Sequence, residues 1–246
     1  MGTVPMVQST LRALELLARA PITGSRDLAR ALGIAPTSAY RILRTLEESG
    51  WVGRQDDGSY GPGTGLLRIA QPLMALAHGL SRLRAQVELL GQQTGLTAVV
   101  TVREGDYAVT VDQVIPARRA GVTVPLGDRV SIIESFAGPC LLADMGEAGL
   151  RRLVRTAKAR CWRGQSETEW RERIAAARRR GWCVDPGVFH DRIAVISAVV
   201  RDNEGKAVAA VSLLGLPGEF GLRTARRFQR PLMRTVRLAQ IAGDTA

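Results

Sequence analysis

Residues 25–50, SRDLARALGIAPTSAYRILRTLEESG, predict two short helices joined by a tight turn. Ser25 is a preferred type of helix N-cap, and Gly33 can end the first helix because glycine tolerates the left-handed conformation. Pro36 can begin the second helix, where its missing N–H costs no hydrogen bond, and Gly50 can end it. Two helices held by such a turn are typical of a helix-turn-helix.

The second helix is predicted to have an apolar face and a polar face. The apolar residues recur at helical spacing, which favours burial of Ala39, Ile42, Leu43 and Leu46. The other side carries hydroxyl groups and cations at Thr37, Ser38, Tyr40, Arg41 and Arg44. A helix fits the major groove of DNA, where such groups can contact phosphates and base edges. The alternatives are that Arg41 and Arg44 form a solvated face, or that Arg41 pairs with a neighbouring acid.

The flanking sequence completes a winged helix-turn-helix. Residues 7–20, VQSTLRALELLARA, predict a preceding helix with Ser9 or Thr10 as its N-cap. Residues 51–61, WVGRQDDGSYG, predict a hairpin with an Asp57-Gly58 turn, in which Trp51 and Tyr60 pack against the core. The residues predicted to bind DNA are Ser25, Arg26, Thr37, Ser38, Tyr40, Arg41, Arg44, Arg54 and Gln55.

The charge balance favours a polyanionic partner. The chain of 246 residues has a net charge of +11, and basic surfaces attract nucleic acids. Residues 1–70 hold eight arginines and six carboxylates, whereas residues 71–246 hold 26 basic and 17 acidic residues. Most of the excess positive charge therefore lies outside the predicted winged helix-turn-helix.

Several classes of protein are not indicated. The sequence has no apolar run of about 18 residues and no secretory signal at its start, so we expect a cytoplasmic protein with no membrane partner. Cys140, Cys161 and Cys183 form no CxxC pair, so we expect no metal site, disulfide framework or cofactor. A thiol enzyme that uses Cys140 or Cys183 with His190 is a rival, but no nucleophile motif accompanies these residues. A winged-helix module that binds only protein is a third alternative.

The rest of the chain predicts a linker and a second domain. Residues 64–95 predict a long helix with an interruption near Pro72, which either pairs with a second copy or packs within one chain. Beyond Gly95, strands, turns and helices interleave over hairpins, and residues 223–241 predict a last helix. This pattern is typical of an α+β domain with an antiparallel sheet.

The chain resembles the IclR family of bacterial transcription regulators over essentially its whole length. The blocks that carry the resemblance are VQSTLRALELLA, DLARALGIAPTSAYRILRTLEESGWV, SYGPGTGLLRIA, GDRVSIIESFAGPCLLA, RRRGWCVD and IAVISAVVRDNEGKAVAAVSLLG. The resemblance implies a winged helix-turn-helix domain over residues 1–63, a linker helix over 64–80 and a GAF-like effector-binding domain over 81–246. It also implies a homodimer or homotetramer on double-stranded operator DNA.

The resemblance also implies a small-molecule effector in the C-terminal domain. The residues that match the family's pocket are Phe136, Ala137, Gly138, Asp185, Ile193, Val195, Ser212 and Leu214. Backbone N–H groups near Ala137 and Gly138 could hold a carboxylate, which favours a small organic or aromatic acid. Asp185 either accepts a hydroxyl or amine of the ligand or caps the turn that follows it.

Some residues depart from the family pattern. Thr37 stands where a basic residue is usual, and Ala39 where a threonine is usual. In the C-terminal domain Pro139 replaces a lysine, and Arg192 replaces a glycine and either pairs with an acidic ligand or plugs the pocket. An effector-independent repressor with an occluded pocket is therefore an alternative to a ligand-controlled one.

Overall fold

The chain folds into two compact units, Met1–Ala77 and His78–Ala246. A computed structural model describes residues 2–116, 122–190, 193–216 and 225–240. Helices accompany a two-stranded and a six-stranded antiparallel sheet, so the predicted α+β class is confirmed. Within the described part of the chain, no helix has both the length and the apolar character that crossing a membrane requires.

The first unit is a winged helix-turn-helix, as predicted. Its elements are α1 (Pro5–Arg19), α2 (Ser25–Leu32), α3 (Pro36–Glu48), β1 (Val52–Arg54) and β2 (Tyr60–Pro62). The turn between α2 and α3 depends on Gly33, whose φ of 67° lies in the left-handed region. Strand β2 also bridges to the segment after α1, because Ile22 and Tyr60 exchange backbone hydrogen bonds of 3.1 and 2.7 Å.

The core of this unit uses the predicted apolar face of α3. Ala39, Ile42, Leu43 and Leu46 are all buried, and they pack with Ala13, Leu17, Leu28, Val52 and Tyr60. Tyr60 belongs to this core and Trp51 packs against it, so the predicted packing role of both aromatic residues is confirmed. The buried side of α3 thereby fixes which side faces outward.

The N-caps predicted for α1 and α2 are wrong. Ser9 and Thr10 lie inside α1, where each hydroxyl donates to the carbonyl oxygen four residues earlier. Pro5 begins that helix instead, since the first helical position tolerates the missing N–H. Ser25 is the first residue of α2, and Gly24 precedes it as an N-cap without a side-chain hydrogen bond.

Helix α4 (Leu66–Thr94) is continuous over 29 residues. The predicted interruption near Pro72 is therefore wrong. A proline removes one backbone hydrogen bond, but the leucine, alanine and methionine residues around it have high helix propensity.

The second unit is built on one antiparallel sheet of order β5-β4-β3-β8-β7-β6. Its strands are β3 (Thr97–Glu104), β4 (Tyr107–Val114), β5 (Arg129–Ser131), β6 (Trp182–His190), β7 (Ile193–Arg201) and β8 (Ala207–Gly215). One face packs against α5 (Gly138–Leu141), α6 (Glu147–Thr156) and α7 (Glu167–Arg180). The other face packs against the second half of α4 and against α8 (Ala225–Gln240).

The register of the sheet places distant residues side by side. Val99 pairs with Ser212, Ser212 pairs with Ser197, and Ser197 pairs with Cys183. These four side chains therefore lie in a row on one face of the sheet. Gly138 is required below that face, because a Cβ at this position would lie 1.9 Å from the carbonyl oxygen of Ile132.

Candidate nucleic-acid interface and ligand cavity

The exposed side of α3 carries the residues predicted to contact DNA. Thr37 and Arg41 are exposed, Ser38 is half-buried, and Tyr40 is 54% exposed. Among the described residues, no carboxylate lies within ion-pair distance of Arg41. The described residues therefore do not support the alternative in which Arg41 pairs with a neighbouring acid.

Arg44 has a partner within its own helix. Its Nε donates to Glu48 Oε1 at 2.8 Å, and 63% of its side chain remains exposed. The pKa of Arg44 is raised mainly by the hydrogen bond with Glu48 and to a smaller extent by the one with Tyr40. Such an exposed pair contributes little to stability, so Arg44 can exchange Glu48 for a phosphate or a base at small cost.

The wing holds its own cation. Arg54 donates to the Tyr60 hydroxyl at 2.9 Å from Nη2, and it lies 3.7 Å from a carboxylate oxygen of Glu47. The hydrogen bond to Tyr60 is the main cause that raises the pKa of Arg54. Gln55 is exposed at the tip of the wing, and Arg26 is exposed near the start of α2.

A groove brings four of the nine predicted residues together. It measures about 460 Å³ and is lined by Thr23, Gly24, Ser25, Tyr40, Leu43, Arg44, Glu47, Glu48, Arg54 and Tyr60. The two glutamates were not among the predicted site residues. The spacing of four between Arg44 and Glu48 is the sequence signal that indicates this ion pair.

A second cavity lies in the C-terminal unit. It measures about 380 Å³ and opens on the sheet face that carries Thr101, Thr110 and Leu214, beneath residues 122–136. Phe136, Ile193 and Leu214, all predicted effector-binding residues, line it. Val195 is buried beside Leu214 and contributes to the same apolar cluster.

The other predicted effector-binding residues already have partners. The amide of Ala137 donates to Ser135 Oγ at 3.2 Å, and the amide of Gly138 donates to Ser135 O at 3.0 Å. Ser212 Oγ lies 2.8 Å from Ser197 Oγ. The donors expected to hold a carboxylate are therefore engaged within the protein.

Asp185 is also engaged. It is 4% exposed, its Oδ2 lies 3.0 Å from Arg173 Nη1, and its Oδ1 accepts from the amide of Gly187 at 3.1 Å. The bond to Gly187 is the contact that the capping alternative predicts, but it lies within β6, where the register shifts after Asp185, and not at a turn. Arg192, which was expected either to pair with an acidic ligand or to plug the pocket, lies outside the described residues.

Thr101 is the polar residue that the sequence did not identify. It is 2% exposed, and its Oγ1 has no hydrogen-bond partner among the described residues. It lines the cavity together with Thr110, and Arg129 and Arg160 lie at the rim. Alternation along β3 could have indicated this residue, because Thr97, Val99 and Thr101 share a face.

The thiols do not form an exposed nucleophilic site. Cys140 Sγ lies 3.6 Å from Cys183 Sγ, and both residues are buried. Burial is the main cause that raises the pKa of the Cys140 thiol, so its thiolate is disfavoured. The side chain of His190 lies outside what the structure describes.

Comparison with known families decides the class of the protein. A family model described as the IclR helix-turn-helix domain matches residues 7–56, and one described as the bacterial transcriptional regulator IclR C-terminal matches residues 78–239. The chain belongs to the IclR family. This IclR-family protein is a DNA-binding transcriptional regulator and not an enzyme.

Known relatives cover most of the chain. It is 24% identical to the transcriptional repressor IclR of Escherichia coli, over 85% of this chain and 80% of that one. It is 27% identical to the glycerol operon regulatory protein of Streptomyces coelicolor, over 78% and 76% of the two chains. The crystal structure of an IclR homologue from Microbacterium hydrocarbonoxydans, complexed with 4-hydroxybenzoate, has a TM-score of 0.78, 20% identity, and coverage of 98% and 100%.

Proposed function

We propose that this IclR-family regulator recognises operator DNA through the exposed side of α3 and that a small organic or aromatic acid modulates the recognition. The observation that carries the first part is the polar face formed by Thr37, Ser38, Tyr40, Arg41 and Arg44 opposite a fully buried apolar face. A helix presented in this way can enter the major groove.

The chemistry of α3 supports contact with both phosphates and bases. Arg41 and Arg44 can bind a phosphate or the O6 and N7 atoms of guanine in bidentate fashion. Thr37 and Ser38 stand at the start of the helix, where their hydroxyl groups suit phosphate oxygens. Arg54 and Gln55 in the wing supply further contacts to the DNA backbone.

The assembly that binds DNA is proposed to be a homodimer or a homotetramer. A single α3 covers only a few base pairs, whereas two copies related by a two-fold axis cover a near-palindrome. The proposed domains are 1–63 and 81–246, joined by a linker helix over residues 64–80. The proposed region of contact between copies is the long helix around residues 73–90. The cytoplasm is the compartment proposed for this function, since bacterial operators lie there.

The cavity beneath residues 122–136 is the proposed effector site of the GAF-like domain. Its volume of about 380 Å³ falls in the range of small-molecule sites. Phe136, Ile193 and Leu214 supply an apolar wall, and Thr101 supplies a hydroxyl that has no partner among the described residues. Arg129 and Arg160 also line the cavity, and an acid would compete there with Glu104 and Glu134, with which they pair. The 4-hydroxybenzoate in the solved homologue supports a ligand of this class.

A second candidate is an effector-independent repressor. The pairs Asp185–Arg173 and Ser212–Ser197, and the amides bonded to Ser135, favour it because they leave few polar groups for a ligand. An effector changes DNA affinity only if it binds two conformers unequally. A ligand that enters the cavity without this preference would leave the protein a constitutive regulator.

One experiment tests both parts. The affinity of the full chain for its own upstream region and for random duplex is measured over a range of salt concentrations, with and without 4-hydroxybenzoate and simple aliphatic acids. We expect a preference for the upstream region, and a change in that preference with at least one acid. No preference under any condition would overturn the DNA proposal, and a preference that no acid alters would favour the effector-independent repressor.

A further inference from the structure

Helix α8 presents a row of arginines on one side. Arg227, Arg230, Arg234 and Arg237 are all exposed, and their spacing of three, four and three residues places them on one face of the helix. The opposite face, with Phe228, Leu232 and Val236, is buried against the sheet. We call the four exposed residues the arginine stripe.

The arginine stripe has no carboxylate partner among the described residues. The sequence of α8, ARRFQRPLMRTVRLAQ, contains no aspartate or glutamate, and none of the ion pairs formed by described residues involves the stripe. Some arginines elsewhere in the unit are paired, since Arg152 pairs with Asp106 and Arg171 pairs with both Glu147 and Glu167. The exposed Arg151, Arg155 and Arg163 resemble the stripe in having no carboxylate partner among the described residues, but they do not form a row along one helix.

Neighbouring residues extend the positive surface. Met233 of α8 approaches the corner between α7 and β6, because a Cβ on Gly181 would lie 3.4 Å from its terminal methyl group. At this corner the Arg180 guanidinium lies 3.9 Å from the centroid of the Trp182 ring, and Arg180 remains exposed. Arg180 therefore adds one exposed cation close to Met233 of α8.

Without a partner the stripe destabilises α8, whereas its charges suit an external polyanion. Like charges one helical turn apart destabilise a helix, and the stripe contains three such neighbouring pairs. Guanidinium groups bind phosphates in bidentate fashion, and duplex DNA carries one phosphate charge per about 1.7 Å of axis. A second copy of the stripe would be repelled, so contact of the stripe with itself does not fit.

We propose that the arginine stripe binds the phosphate backbone of duplex DNA, as a sequence-independent contact in addition to α3. The charge distribution supports this partner, since most of the excess positive charge lies in residues 71–246 and the protein is a DNA-binding regulator. Such a contact raises affinity for every duplex equally and leaves the preference for the operator unchanged.

The test compares two triple variants of the full chain with equal charge. One is Arg230→Gln, Arg234→Gln and Arg237→Gln; the control is Arg151→Gln, Arg155→Gln and Arg163→Gln, which removes three exposed arginines from α6 and the segment before α7. Affinity for a fluorescent duplex of random sequence is measured at several salt concentrations. The slope of log K against log salt is negative, and each lost phosphate contact makes its magnitude smaller by about 0.9. We therefore expect the magnitude of the slope to fall by about 2–3 for the stripe variant and by less than about 1 for the control.

Each outcome decides the proposal. Equal slopes for the two variants would overturn it, because net charge alone would then explain the effect. An unchanged DNA slope with lost binding to phosphatidylglycerol vesicles would assign the stripe to membranes and also overturn it. The random duplex makes the test independent of operator recognition, whose failure would show instead as a lost preference for the upstream region. Circular dichroism and thermal melting confirm that both variants are folded.

Discussion

Arg173 Nη1 lies 3.0 Å from Asp185 Oδ2, and the Asp185 side chain is almost fully buried. Asp185 stands where the family resemblance placed a ligand-binding group. Its carboxylate instead pairs with Arg173 of α7 and accepts a hydrogen bond from the amide of Gly187. Asp185 is thus engaged in an internal ion pair, and it does not line the cavity formed with Phe136, Ile193 and Leu214.

Removal of this carboxylate is expected to destabilise the C-terminal unit. Asp185→Ala leaves the Arg173 charge largely buried, which costs about 3 kcal/mol. Urea unfolding of the full chain measures the change. The control is Asp106→Ala, which breaks an exposed pair with Arg152 and should cost about 0–1 kcal/mol. Equal costs for the two variants would contradict a structural role of the buried pair.

Substitution of Arg44 is expected to weaken operator binding. Arg44→Ala removes a side chain that can contact a base edge, and the loss should be about 1–3 kcal/mol. Fluorescence anisotropy at fixed salt measures it on operator and random duplex. Arg12→Ala, on the exposed side of α1, is the matched control and should change both affinities by less than about 0.5 kcal/mol. If Arg44 contacts only phosphate, both duplexes will lose affinity equally.

Local features of the sequence predicted the first unit well. Gly33, Pro36 and the apolar spacing of α3 define two helices and the turn between them, since each acts through its own backbone or its own helix face. The caps were mispredicted because serine and threonine also bond back to the helix from inside it.

The cavity of the C-terminal unit was harder to predict, because its contacts join distant segments. Thr101 faces the cavity as a result of the register of β3 with β4 and β8. The Arg173–Asp185 pair joins residues on a helix and a strand. The sequence could name Phe136, Ile193 and Leu214 through the family pattern, but it could not show that the amides of Ala137 and Gly138 already donate to Ser135.

Replacement of Thr101 tests the cavity. Thr101→Val keeps the side-chain shape but removes a buried hydroxyl that has no partner among the described residues, so it should stabilise the unliganded protein by about 1 kcal/mol. The same change should remove stabilisation by any acid that uses this hydroxyl. Thermal melting with and without 4-hydroxybenzoate measures both effects.

Thr97→Val is the matched control for that experiment. Thr97 is also buried on β3 with a hydroxyl that lacks a partner among the described residues, but it does not line the cavity. The control should gain similar stability and keep the full response to ligand. A response that Thr101→Val retains in full would contradict contact between Thr101 and the acid. Loss of the response in both variants would show that the effect does not depend on a position in the cavity.

The buried thiol of Cys140 should make stability depend on alkaline pH. Burial raises the pKa of Cys140 in the folded protein, so above the unfolded pKa the unfolded state loses its proton first. The contribution to the free energy of unfolding is therefore complete at neutral pH and declines as the pH rises beyond about 8.5. Urea unfolding at pH 7.5 and pH 10 should show a smaller decline for Cys140→Ala than for the unmodified chain. Iodoacetamide should label Cys140 at pH 7.5 only in denaturant, and rapid labelling of the folded protein would show that the thiol is not protected.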